Sequence, residues 1–206
     1  MPSLLEQILA YMQAGGQTMI PIILFSLIIW TLSLVKIHGF ITESRAETTP
    51  EECLAHIDAR GVCSGRPYAA WQRHILTEYL RSRCDDPELN RKTLETIRLH
   101  LGAQASRFIP TIFILSAIAP LLGLLGTVSG MISTFDVISQ FGTGNARALA
   151  SGISEALVTT QSGLVVAVPG MLLGGVLYRR AEKLKHRMEL FCIGLQYETE
   201  CGSLLR

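Results

Sequence analysis

Three stretches of this chain carry no formal charge, and they limit the fold more than any other feature. Gln7–Val35, Phe108–Phe135 and Ala156–Tyr178 contain no Asp, Glu, Lys or Arg over 29, 28 and 23 residues. A helix that crosses a bilayer needs roughly 20 mostly apolar residues, so each window is long enough to span. As buried helices of a soluble protein, the same windows would need a far larger shell around them than 206 residues supply. Charged residues make up 17% of the chain and mean hydropathy is +0.35, against about 25% charge in soluble domains. The net charge of +1 excludes a strongly basic nucleic-acid binder.

The basic residues predict the orientation. Of the 18 Lys and Arg, 11 fall between Lys36 and Arg107 and six between Arg179 and Arg206. Arg147 stands alone between the second and third windows, and none precedes the first. Positive charge stays on the cytoplasmic side. The expected layout is an outer interfacial helix over 1–16, a first span over 17–39 and a cytoplasmic helical loop over 40–107. A second span covers 108–135, a short outer connection 136–154, a third span 155–178 and a cytoplasmic helical extension 179–206. The first span lacks a basic leader and is too long for a cleaved signal, so it reads as an anchor. Ahead of it Leu4, Leu5, Ile8, Leu9 and Met12 share a helical face, which fits an interfacial helix or a frayed end. All five cysteines fall on the cytoplasmic side with no C-x-x-C pair, and no histidine shows ligand spacing. No disulfide, metal or cofactor is expected.

Residues 43–87 read as short helices with turns at Gly61–Pro67. Asp85-Asp86-Pro87-Glu88 reads as a helix start, with an Asp at the N-cap, Pro87 in the first turn and Glu88 complementing the dipole. Leu94, Ile97, Leu101, Ala105 and Phe108 then recur at helical spacing, which predicts one unbroken helix from Pro87 to Phe135. The third helix shows a heptad seam from Ala156 through Thr160, Gly163, Ala167, Gly170, Gly174 and Leu177 to Leu195. Its residues are small inside the lipid and mostly large beyond it. Small residues let helices approach closely where lipid removes the hydrophobic drive. The second span carries a matching small seam: Ser116, Ala119, Gly123, Gly126, Gly130 and Ser133.

Polar side chains inside membrane helices are costly and usually functional. Thr127 and Thr134 lie seven residues apart in the second span. In the third, Glu155, Thr159 and Ser162 share a face, with Thr160 and Gln161 beside it. Any single hydroxyl can simply bond its own helix. Glu155 can be a helix-start charge favoured by the dipole or a group facing an aqueous cavity. No Asp or Glu lies deep in any span, so a proton-driven device built on this chain needs a carboxylate from another chain. Phosphate-loop, zinc-protease and serine-hydrolase signatures are all missing.

The stretch Ala119-Pro120-Leu121-Leu122-Gly123-Leu124-Leu125-Gly126-Thr127-Val128-Ser129-Gly130-Met131 resembles the second-span motif of the MotA/TolQ/ExbB proton-channel family. Gly152-Ile153-Ser154-Glu155-Ala156-Leu157-Val158-Thr159-Thr160, followed by Gly163–Pro169, resembles its third-span motif. Three spans and a short N-terminus place the resemblance nearest the ExbB branch. A TolQ-like envelope subunit and a non-conducting membrane scaffold are the alternative readings. The resemblance implies an all-α protein of the bacterial inner membrane, forming a helical ring, a homopentamer around a pore. It also implies an ExbD-like single-span partner inside that pore, supplying the acid, and a TonB-like partner docked outside. The family's pore threonines map onto Thr127 and Thr160, and its third-span glutamate onto Glu155.

Overall fold

A computed structural model describes residues 6, 12, 15–44, 47, 69–84, 86–142 and 146–204. They form five helices: α1 (Met19–Ser44), α2 (Ala70–Ser82), α3 (Pro87–Ser106), α4 (Ile109–Phe141) and α5 (Ala146–Leu204). No strand occurs among the described residues. Helical stretches within Met19–Thr42, Pro87–Phe141 and Ala146–Tyr197 are long and apolar enough to cross a membrane, as the charge-free windows require. The expected interfacial helix over 1–16 falls almost wholly outside the described residues, as do the turns at Gly61–Pro67.

The chain divides into two compact units, one of Met1–Leu34 with Phe108–Gly175 and one of Val35–Arg107 with Val176–Arg206. In the first, α4 packs on α5 along the two small seams. Ser116, Ala119, Gly123, Gly126 and Gly130 are buried on α4, facing Ala156, Gly163, Ala167, Gly170 and Gly174 on α5. Ser133, expected to end the α4 seam, is exposed; Thr134 is buried in its place. A step of four from Gly130 keeps the stripe on the same face better than a step of three, since a straight helix turns about 100° per residue. Both helices also run past the spans expected from charge, α4 to Phe141 and α5 from Ala146. Asp136 and Glu155 cost little there, because helix continuation needs only backbone bonds and polar side chains can face water.

The second unit is an amphipathic assembly. Trp71, Ile75, Leu76 and Tyr79 of α2 are buried, as are Leu94, Ile97 and Leu101 of α3. On α5 the heptad seam continues with Leu177, Ala181, Leu184, Met188, Phe191 and Leu195, all buried. The Trp71 ring meets Phe191 edge-on, with centroids 5.3 Å apart and planes at 81°. Asp86 caps α3 as expected: its Oδ1 accepts from the Glu88 N–H at 3.0 Å, and Pro87 occupies the first turn.

The unbroken helix expected from Pro87 to Phe135 is not formed. The chain leaves the helix at Arg107, and Phe108 takes φ 71°, in the left-handed region. Pro110 supplies the reason. It has no N–H for the carbonyl of Ser106, and its ring would collide with that carbonyl. Restarting at Ile109 puts Pro110 in the first turn of α4, where no intrahelical N–H bond is needed. Lys36 of α1 covers the open end of α3, its Nζ donating to the carbonyls of Gln104 and Ala105, both at 3.1 Å.

Candidate functional site

The α4–α5 pairing leaves little free space. A Cβ at Gly163 would lie 2.7 Å from the Ala119 carbonyl oxygen, one at Gly123 3.1 Å from the Thr159 carbonyl oxygen, and one at Gly130 2.8 Å from the Gly152 carbonyl oxygen. One at Gly170 would overlap Ser116 Oγ, and one at Gly174 would press on the Phe113 ring at 3.2 Å. The helix-packing residues read from the sequence, with Gly126 and Ala167 among them, therefore lie along one close α4–α5 interface within the chain, backbone against backbone at Gly123, Gly130 and Gly163 and against side chains at Gly126, Gly170 and Gly174.

That interface encloses two of the six hydroxyl and carboxyl candidates. Thr159 is 0% exposed and Thr134 6%. Thr134 Oγ1 donates to the Gly130 carbonyl at 2.9 Å, and Thr159 Oγ1 to the carbonyls of Glu155 and Ala156, both at 3.0 Å. Both hydroxyls are satisfied within their own helices and stand between α4 and α5, so they do not belong to an outward-facing track. Thr127 and Thr160 are half-buried. Thr127 donates to the Leu124 carbonyl at 2.6 Å. Thr160 donates to the Ala156 carbonyl at 3.0 Å and reaches across to the Gly123 carbonyl at 3.4 Å.

Helix geometry puts Thr127 and Thr160 together. At about 100° per residue, each lies roughly 60° from the middle of its seam, and in an antiparallel pair both offsets fall on the same side. Leu124, Ile153, Leu164 and Met171 share this flank and are exposed. The opposite flank is covered by α1. Ile29 approaches Gly170 there, and a cavity of about 290 Å³ lies between Ile22, Ser26, Leu27, Gln161, Ser162 and Val165. Ser162 is on this covered side, its Oγ donating to the Val158 carbonyl at 2.7 Å. Glu155 is half-buried on this side too, beneath the turn that precedes α1.

The sequence reading missed the part α1 plays. Met19, Ile22, Ile29, Ser33 and Phe40 form a buried stripe on α1, with Ser26 half-buried in line with them. The spacing is a heptad, but nearly every residue of this helix is apolar, so no stripe stands out by composition. Thr18 was also overlooked; its Oγ1 joins that of Thr159 beside Gly126.

Comparison with known proteins gives consistent matches. Residues 68–190 match the family described as the MotA/TolQ/ExbB proton channel family. The chain is 32% identical over 186 residues to an ExbB-like biopolymer transport protein of Synechocystis, covering 85% of this chain and 71% of that one. It is 28% identical over 182 residues to the biopolymer transport protein ExbB of Salmonella typhimurium, covering 81% and 74%. The Aquifex aeolicus biopolymer transport protein ExbB is 43% identical over 67 residues, 32% of this chain.

Proposed function

The chain belongs to the MotA/TolQ/ExbB proton channel family, and from that membership we propose that it is an ExbB-like subunit coupling the proton motive force to transport across the outer membrane. It is a multi-pass membrane protein and a biopolymer-transport-type subunit. In our reading it sits in the bacterial inner membrane with its N-terminus periplasmic and its C-terminus cytoplasmic. Several copies, five by analogy with the family, enclose a pore. An ExbD-like helix in the pore brings the proton-carrying acid, and a TonB-like protein transmits the work.

One observation carries the proposal: Thr127 and Thr160 lie together on the flank of the α4–α5 pair that α1 leaves open. Hydroxyls there can pass hydrogen bonds to water or to a guest carboxylate. Between Ile109 and Ser154 this chain has one acid, Asp136, near the end of α4 and about half a turn around the helix from Thr127, so a charge carrier from outside is needed on that flank. Each proton crossing 100 mV releases about 2.3 kcal/mol. Thr134, Thr159 and Ser162 hold the subunit's own helices in register. The glycine and alanine seams keep the pair rigid and narrow beside the moving partner.

The test is uptake of an iron chelate by cells that depend on this chain. Thr160→Val keeps the shape and removes the hydroxyl; Glu155→Ala removes the carboxylate. Each should depress uptake with protein levels unchanged. Normal uptake by both would remove these residues from the mechanism.

A further inference from the structure

We infer that Gly16 is a positioning residue for Glu155: the turn ahead of α1 seats the Glu155 carboxylate on the α1 side of the chain, and a glycine is needed there to make room for it. The inference rests on the reading above for what the carboxylate does, but not for where it sits.

Two independent features of Gly16 meet at this point. Its φ is +63°, in the left-handed region that favours glycine. That alone would mark only a turn. In addition, a Cβ on Gly16 would overlap Glu155 Oε1 and come within 2.7 Å of its Cδ. The empty side-chain position of Gly16 is occupied by the end of Glu155. The neighbouring elements close the seat. Gly15 lies against Met19 and Val158, and Thr18 Oγ1 donates to the Gly15 carbonyl at 3.4 Å. Thr18 and Thr159 both border Gly126, where any Cβ would overlap Thr159 Oγ1. Thr159 in turn donates to the Glu155 carbonyl. The turn therefore meets α5 at Glu155 and Val158 and α4 at Gly126, with the Glu155 carboxyl lying against Gly16.

The seat also fixes direction. Five residues separate Glu155 from Thr160, a rotation of roughly 140° about α5. The carboxylate thus acts from within the subunit, on the flank opposite Thr127 and Thr160. The atom that a Gly16 side chain would meet is the far end of a flexible side chain, not backbone. Gly16→Ala should therefore displace the carboxylate and leave the helices in place.

The experiment compares Gly16→Ala, Glu155→Ala and the double variant for iron-chelate uptake at matched protein levels. If Gly16 works through Glu155, Gly16→Ala falls to within about twofold of Glu155→Ala, and the double is no worse than Glu155→Ala, twofold being the scatter of independent effects. Losses that multiply in the double overturn the inference. Gly16→Asn accepts a left-handed backbone but still fills the seat, so it should fail as Ala does; full uptake with Asn overturns the inference. A measurement without uptake judges the placement. Oxidation of a Gly16→Cys/Glu155→Cys variant in membranes should give an intrachain disulfide between these positions, located by peptide mass. Its absence overturns the seat. Wild-type uptake by Glu155→Ala sinks the proton-path role of Glu155 and with it the functional half of the inference, while the disulfide still decides the geometry.

Discussion

At Gly163 an added methyl group would meet the Ala119 carbonyl oxygen, a backbone atom that cannot yield unless α4 moves. At Gly175, on the same helix, the same methyl group meets nothing within 4 Å. The two glycines therefore separate packing from propensity. Gly163→Ala should cost about 1–3 kcal/mol, the usual range for overpacking. Gly175→Ala should be neutral or gain up to about 1 kcal/mol from helix propensity. Thermal unfolding of the purified chain, followed by circular dichroism, reads both, and equal shifts at the two sites would refute the backbone-contact reading. Gly163 was legible in the sequence because a stripe of small residues at heptad spacing has one economical explanation, close helix approach. The threonines were less so. Thr127, Thr134, Thr159 and Thr160 all lie within reach of that stripe, and spacing alone does not say which flank a third helix covers. The α4–α5 contact encloses Thr134 and Thr159, and the position of α1 decides that the flank carrying Thr127 and Thr160 stays open.

The helices themselves were readable where local chemistry and burial agree. Asp86-Pro87-Glu88 marks the start of α3 without help from the rest of the fold, and the α5 seam, small residues up to Gly174 and mostly large ones after it, buries as one stripe with Thr160 half-buried at its edge. The break at Arg107-Phe108 was harder to see. Apolar spacing runs through it from Leu94 to Phe108, while the cause, Pro110, acts on the carbonyl four residues earlier. A helix end created this way leaves carbonyls that need partners, and α3 finds one in a residue distant in sequence. Lys36 offers a cation where the helix dipole is negative and donates to two of the terminal carbonyls. Replacing Lys36 by Met removes the charge and both donors while keeping the stem. The last turn of α3 should then open more easily by about 0.5–1 kcal/mol, and amide exchange over residues 102–108 should speed up a few-fold. Lys36→Arg should hold exchange near the wild-type rate. Unchanged exchange in the Met variant would show that the cap contributes nothing.

Across the whole chain, the two units differ in what they present to their surroundings. In the first, Leu24, Leu27, Leu34, Leu121, Leu164 and Leu172 are exposed, a surface that water would penalise and hydrocarbon would not. The second carries the ion pairs: Arg187 with Glu47 at 2.7 Å, Lys185 with Glu182 at 2.8 Å, and Glu88 with Arg91 and Lys92 at 3.6 Å. Seventeen of the 18 Lys and Arg lie in 36–107 or in 179–206, and the topology proposed above, by the positive-inside bias, has both segments on the cytoplasmic face. Two cysteines of the second unit turn that orientation into a measurement. Cys84 is exposed, whereas Cys192 is buried, and desolvation pushes its thiol up to about 11 despite the opposing pull of Arg98. Alkylation needs the thiolate. At pH 8, three units below its pKa, Cys192 has about one thiolate in a thousand, and that fraction grows only as pH rises toward 11. A membrane-impermeant maleimide at pH 8 should therefore modify Cys84 in inside-out vesicles and spare it in intact spheroplasts, with Cys192 slow in both. Labelling of Cys84 from the spheroplast side would invert the topology. The carboxylate seat of Glu155 would then face the cytoplasm, and the proton path proposed for Thr127 and Thr160 would have to run the other way.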